Sequence, residues 1–103
     1  MFESDVFRAL GDPTRRAVYE RLGGGEMSVS ALKANFVISQ PAVSQHLAAL
    51  KAAGLVEERR EGRNVYYRIE PRGLEPLIGW IERHRAFWPE RIDRLRDVLK
   101  RMD

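Results

Sequence analysis

Apolar residues along the chain recur at helical spacing, switch once to strict alternation, and then return to helical spacing, which predicts a mainly helical domain carrying one β-hairpin. Val6, Phe7 and Leu10 stripe a short first helix that stops near Gly11, because Asp12 and Pro13 form a helix start. Asp12 is placed to cap the second helix, in which Ala17, Val18 and Leu22 share one face until Gly23, Gly24 and Gly25 end it. Ser28 or Ser30 caps a short third helix bearing Ala31, Leu32 and Ala34, and Asn35 ends it in the left-handed conformation that Asn tolerates. Ser39 opens a longer helix with Val43, Leu47 and Leu50 on one side, closed by Gly54. Two helices joined by so few residues make a helix-turn-helix pattern.

Leu55 and Val56 lead into a hairpin in which Gly62 occupies the turn and Val65, Tyr67 and Ile69 alternate on the returning strand. Beyond Pro71 and Gly73, helical spacing resumes through Leu74, Leu77, Ile78 and Ile81, then Trp88, Ile92, Leu95 and Leu99, with a kink expected at Pro89. The expected fold is therefore mainly α with a two-stranded β-wing, a winged helix-turn-helix in the order α-α-α-α-β-β-α. Residues 1–103 form a single domain, of which 72–103 make a C-terminal dimerisation helix.

The helix SQPAVSQHLAALKAAG carries the candidate chemistry. With Val43, Leu47 and Leu50 buried, its opposite face presents Gln40, Pro41, Ser44, Gln45 and Ala48, small or amide side chains without long charges. Such a helix is slim enough for a major groove, where Gln and Ser reach base edges, whereas an ordinary solvated face would carry Lys and Glu pairs. Ser39 is placed to position a phosphate, and His46, bordering the buried side, is either a structural imidazole or a phosphate donor. The wing sequence RREGRNVYYR adds Arg59, Arg63, Asn64 and Tyr66 as candidate contacts to DNA, with Arg63 and Asn64 at the tip preferred. Arginines on an edge hairpin also discourage strand-to-strand aggregation, and Glu57, Glu58 and Glu61 dilute the local field.

Charge agrees without deciding. The chain has 18 basic and 15 acidic side chains, a formal charge of +3. Fifteen of the cations are Arg and three are Lys, a bias that suits phosphate and base edges but that GC-rich codons would also produce. No Cys is present, so disulfides, thiolate metal sites and cysteine nucleophiles are excluded. His46 and His84 lie in separate elements with no nucleophile to serve, and Glu82 with His84 lacks the further ligands a metal would need. No enzyme, no metal and no cofactor are expected. The glycine run lacks the preceding strand and following Lys of a phosphate loop. With no long apolar run and no basic-then-apolar leader, a cytoplasmic protein without a membrane segment is expected.

The last helix bears more apolar surface than one small core can hide. Trp80, Phe87 and Trp88 are best covered by a second copy of the chain. The expected interface joins Val6 and Phe7 of the first helix to Leu77, Trp80, Ile81, His84, Phe87, Trp88, Ile92 and Leu95 of the last. A homodimer of this kind would read a pseudo-palindromic double-stranded operator. The rival from another class is a winged-helix module that binds a protein partner through the same aromatic residues. A winged RNA binder would have only Tyr66 for stacking.

ALGDPTRRAVYERL followed by ISQPAVSQHLAALKAAGLVEERREGRNVYYRIEP resembles the ArsR family of bacterial winged helix-turn-helix repressors, from about Phe7 to Pro71. DPTR, SQPAVSQHL, AGLV and a glycine-tipped wing ending in YYRI, in that order, carry the likeness. The resemblance implies a homodimer built from the first and last helices that occupies an operator until a signal releases it. Metal-sensing members carry cysteines near the third helix or Asp and His on the last, whereas this chain has Met27, Ser28, Val29, Ser30 and Ala31 in the former stretch. WIERHRAFWPERIDRL looks like the final helix of a non-metal branch, for which no small-molecule inducer is implied.

Overall fold

The computed structural model describes residues 3–85 and 89–102. Helices α1 (Glu3–Gly11) and α2 (Pro13–Arg21) meet at Asp12, whose carboxylate accepts the Arg15 backbone N–H at 3.0 Å. With Pro13 needing no such acceptor, this cap makes Asp12 the shared boundary of two helices. A 3-10 turn (Leu22–Gly24) leads to β1 (Met27–Ser28) and α3 (Val29–Lys33), where Ser28, not Ser30, supplies the cap by accepting the Ala31 N–H at 3.1 Å. Helix α4 (Gln40–Ala52) is capped by Ser39, whose Oγ accepts the Ala42 N–H at 3.2 Å. The hairpin follows as β2 (Val56–Glu61) and β3 (Asn64–Ile69), joined through Gly62 at φ 61°, a conformation that favours glycine. A 3-10 turn (Pro71–Leu74), α5 (Glu75–Arg85) and α6 (Pro89–Met102) complete the chain.

Two expectations are corrected. The wing is part of a three-stranded antiparallel sheet in the order β1-β3-β2, because Met27 and Ser28 pair with Tyr67 and Tyr66. A two-residue strand shows no alternation, so nothing local announces it. Asn35 does not adopt the left-handed conformation, since no residue other than glycine has positive φ among the described residues. Its side-chain Nδ2 instead donates to the Ala31 carbonyl at 2.8 Å, satisfying the end of α3 directly. The final stretch is helical as α5 up to Arg85 and as α6 from Pro89, and residues 86–88, where the kink was expected, lie outside the described residues.

The core is built by the stripes that periodicity identifies. Val6, Val18, Leu32, Val43, Leu47, Leu50 and Leu55 are fully buried, with Tyr67 of the sheet closing one side. No polar or charged residue is buried among those described. Helix α4 is thus anchored along its apolar side by helices and sheet together, leaving the other side to solvent.

Candidate nucleic-acid interface

The anchoring of α4 decides what it shows. Val43, Leu47 and Leu50 point inward, so Gln40, Pro41, Ser44, Gln45 and Ala48 stand exposed on the opposite face. None of these five side chains makes a hydrogen bond or ion pair in the structure, and their donors and acceptors are available to a partner. Ser39 is exposed at the helix start, its oxygen engaged by Ala42 and its hydroxyl proton uncommitted. His46 lies half-buried on the border, its Nδ1 buried without a hydrogen-bond partner. Its neighbour is Asp12, whose carboxyl is held below the ordinary carboxylate range first by the Arg15 backbone N–H and further by the His46 charge.

Most of the wing's cations are already occupied. Arg59 donates to Glu26 at 2.6 Å and to Glu61 at 2.7 Å, and its guanidinium lies 4.6 Å from the centre of the Tyr66 ring. The Arg59 hydrogen bond holds the Glu26 carboxyl below its usual range. Arg60 pairs with Glu58 at 3.2 Å and Arg68 with Glu57 at 2.8 Å. Tyr67 donates its hydroxyl to Glu58 at 2.8 Å, and burial followed by that bond pushes its pKa up to about 12. Arg63 has no ion pair, and with Asn64 it is fully presented at the hairpin tip. Register explains the difference. Cross-strand partners set Glu57 opposite Arg68, whereas Arg63 lies in the turn outside the ladder.

The free groups of helix and wing converge. A cleft of about 180 Å³ is walled by Gln40 and Ser44 of α4, Arg63, Asn64 and Val65 of the hairpin, and Ser28 and Ser30 at the start of α3. Gln45, Pro41 and Ser39 lie on the same helix outside this cleft, while Arg59 and Tyr66 are held together within the sheet. Ser28 and Ser30 enter the site unforeseen as anything but caps. Only the pairing of Ser28 with Tyr66 carries them to the wing, and no local pattern encodes that contact.

The surface expected to join two copies is partly described. Trp80 lies between Phe7, edge-on at 5.2 Å, and His84, stacked at 4.1 Å, and His84 Nδ1 donates to the Trp80 carbonyl at 2.8 Å. Arg83 donates to Glu3 at 2.6 Å, so α5 is clamped on α1 by charge and rings together. Phe7 and Ile81 remain 41% and 46% exposed and Leu95 59%, while Leu77 packs against the core. Val6 is withdrawn from this surface. At 0% exposure it belongs wholly to the chain's own core, because the first helix turns Val6 and Ala9 inward and Phe7 outward. Phe87 and Trp88, and the side chain of Ile92, lie outside the described residues.

Comparison with known proteins agrees with this geometry. A family described as a helix-turn-helix domain matches residues 10–59. The transcriptional repressor SdpR of Bacillus subtilis (strain 168) is 37% identical over 78 residues, covering 76% of this chain and 87% of its own. The HTH-type transcriptional regulator Rv2034 of Mycobacterium tuberculosis (strain ATCC 25618 / H37Rv) is 44% identical over 83 residues, covering 81% and 75%. A crystal structure of an ArsR-family transcriptional regulator, 31% identical, superposes with a TM-score of 0.77 over 84% of this chain and 90% of that one. The chain belongs to the ArsR family. As an ArsR-family member it is a DNA-binding transcriptional regulator built on a winged helix-turn-helix, and the family is not one of enzymes. Among the described residues of this ArsR-family chain, no group of three or more His, Cys, Asp or Glu is arranged to hold a metal ion. Nor is any described helix long and apolar enough to cross a membrane.

Proposed function

We propose that the protein is a homodimeric repressor that occupies an inverted-repeat operator, each protomer laying α4 in the major groove of one half-site. The observation that carries this reading is the cleft in which the uncommitted Gln40 and Ser44 meet Arg63 and Asn64. Gln40, Ser44 and Gln45 read base edges, and Pro41 and Ala48 keep the helix thin at the groove floor. Ser39 and His46 position phosphates on one side, and Arg63 and Asn64 hold the adjacent groove on the other. Arg59, tied to Glu26 and Glu61 and resting on Tyr66, serves as the brace that holds the hairpin upright. The naming of SdpR as a repressor supports repression over activation.

Two copies join through α1, α5 and α6, where Phe7, Trp80, Ile81, His84 and Leu95 supply the described part of the surface and Phe87, Trp88 and Ile92 the remainder. Such a two-fold pair sets its recognition helices about 34 Å apart, one turn of duplex. The test is a gel shift on the DNA upstream of the protein's own gene, at stated salt, beside light scattering of the free protein. A shifted band on an inverted repeat and a dimeric mass are expected. A monomer at micromolar concentration that leaves this DNA unshifted would overturn the reading.

A further inference from the structure

Away from the cleft, α1, α2 and the last two turns of α4 surround a depression of about 210 Å³. Its floor is four methyl groups, from Ala9, Ala49, Ala52 and Ala53, and its rim is Asp5, Arg8 and Arg15. None of these side chains belongs to the DNA-facing surface. The rim carries one carboxylate and two guanidiniums, a net charge of +1. Neither Arg8 nor Arg15 forms a side-chain hydrogen bond or ion pair, whereas Arg16, Arg59, Arg60, Arg68 and Arg83 each have a carboxylate partner. Arg15 Nε is buried without an acceptor. A buried donor left unpaired is unfavourable, and a carboxylate entering beside this guanidinium would supply the acceptor that the chain lacks.

Size narrows the occupant. A cavity of about 150 Å³ admits a single benzene ring, whereas drug-sized ligands need roughly 300 Å³ or more. A floor of methyl groups favours an apolar body and gives an inorganic anion nothing to rest on. The single rim carboxylate opposes a second negative charge, so a monoanion fits better than a dianion.

We propose that this pocket binds a small organic monocarboxylate with a one-ring or branched apolar body, its carboxylate on Arg8 and Arg15 and its body on the alanine floor. The inference goes beyond the DNA-binding reading and does not depend on it. It does place the ligand against the same helix that bears Gln40 and Ser44.

Benzoate is the probe, with benzamide as its uncharged match, titrated into the isotope-labelled full chain while amide shifts are followed. Benzoate at millimolar concentration is expected to move the amides of Ala9, Ala49, Ala52 and Ala53, with benzamide leaving them in place. Arg15→Gln should weaken benzoate about tenfold, the effect of losing one charge-assisted hydrogen bond. Since Arg15 sits in the first turn of α2, Ala52→Leu provides a second arm: Ala52 is exposed, and the larger side chain fills the depression from its solvent side. Loss of the benzoate shifts in Ala52→Leu supports the site. Equal shifts with benzamide, no shift with benzoate, or undiminished benzoate binding in Ala52→Leu would each overturn it.

Discussion

Replacing Arg63 and Arg59 separately by Gln tests whether the wing's salt bridges decide which arginine meets DNA. Arg59 is held by Glu26 at 2.6 Å and Glu61 at 2.7 Å, so its charge is spent inside the protein. Arg63, at the tip and without an ion pair, is available to a phosphate. Each phosphate neutralised adds about 0.9 to the slope of log K against log salt. Arg63→Gln should therefore lower that slope by about 0.9 per protomer, or about 1.8 for a dimer engaging both wings. Between about 50 and 200 mM salt, a fourfold range, this removes a factor of about 12 from the salt-induced loss of affinity. Arg59→Gln should leave the slope unchanged, whatever it does to affinity through the two glutamates it releases. Fluorescence anisotropy of a labelled duplex across a potassium chloride series reads both. If Arg59→Gln flattens the slope as much as Arg63→Gln does, the bracing role assigned to Arg59 is wrong.

Gly73→Ala should destabilise the fold by about 1 to 3 kcal/mol, seen as a lower urea midpoint at unchanged m, because the added Cβ would lie 2.8 Å from Leu55 Cα and still closer to the Gly54 carbonyl. Both neighbours are backbone and cannot swing aside, so a neutral result would mean that this approach is looser than described. Leu50→Ala, at a fully buried position of α4, should cost about 2 to 5 kcal/mol by the same measurement. Ser39→Ala, which removes only a cap, should cost about 1 kcal/mol. In an ultraviolet titration one tyrosine, Tyr67, should ionise near 12, and Glu58→Gln should lower that value while burial keeps it above 10.0. Because its pKa is raised on folding, Tyr67 stabilises the protein fully below 10.0 and loses that contribution as pH climbs through about 12. A Tyr67 that titrates at its ordinary value would contradict both its burial and its hydrogen bond to Glu58.

Features of the fold written in short-range code were legible. Asp12 followed by Pro13, and Ser39 followed by Pro41, each announce a helix start, and the aspartate and the serine both cap as their chemistry requires. The exposed face of α4 follows from the positions of Val43, Leu47 and Leu50 alone. What escaped was set by distant contacts. Met27 and Ser28 are a strand only because β3 lies beside them, and that pairing brings Ser28 and Ser30 to the cleft. Arg59 reads as a candidate DNA contact, and its pairing with Glu26, delivered across 33 residues of sequence, is not visible locally. Val6 and Phe7 are adjacent apolar residues, and packing decides which joins the core. Asn35 had two ways to end a helix, and the side-chain route prevailed without strain in the backbone.

The central claim is that the bare amide and hydroxyl face of α4 reads base pairs. Measuring Gln40→Ala and Gln45→Ala against the operator and against a random duplex of equal length, at one salt concentration, addresses it most directly. Each change should weaken operator binding by about 1 to 3 kcal/mol and relax preference at one base pair, while leaving random-duplex binding nearly unaltered. Equal losses on the two duplexes would show that these glutamines only support the backbone contacts, and that sequence is read elsewhere.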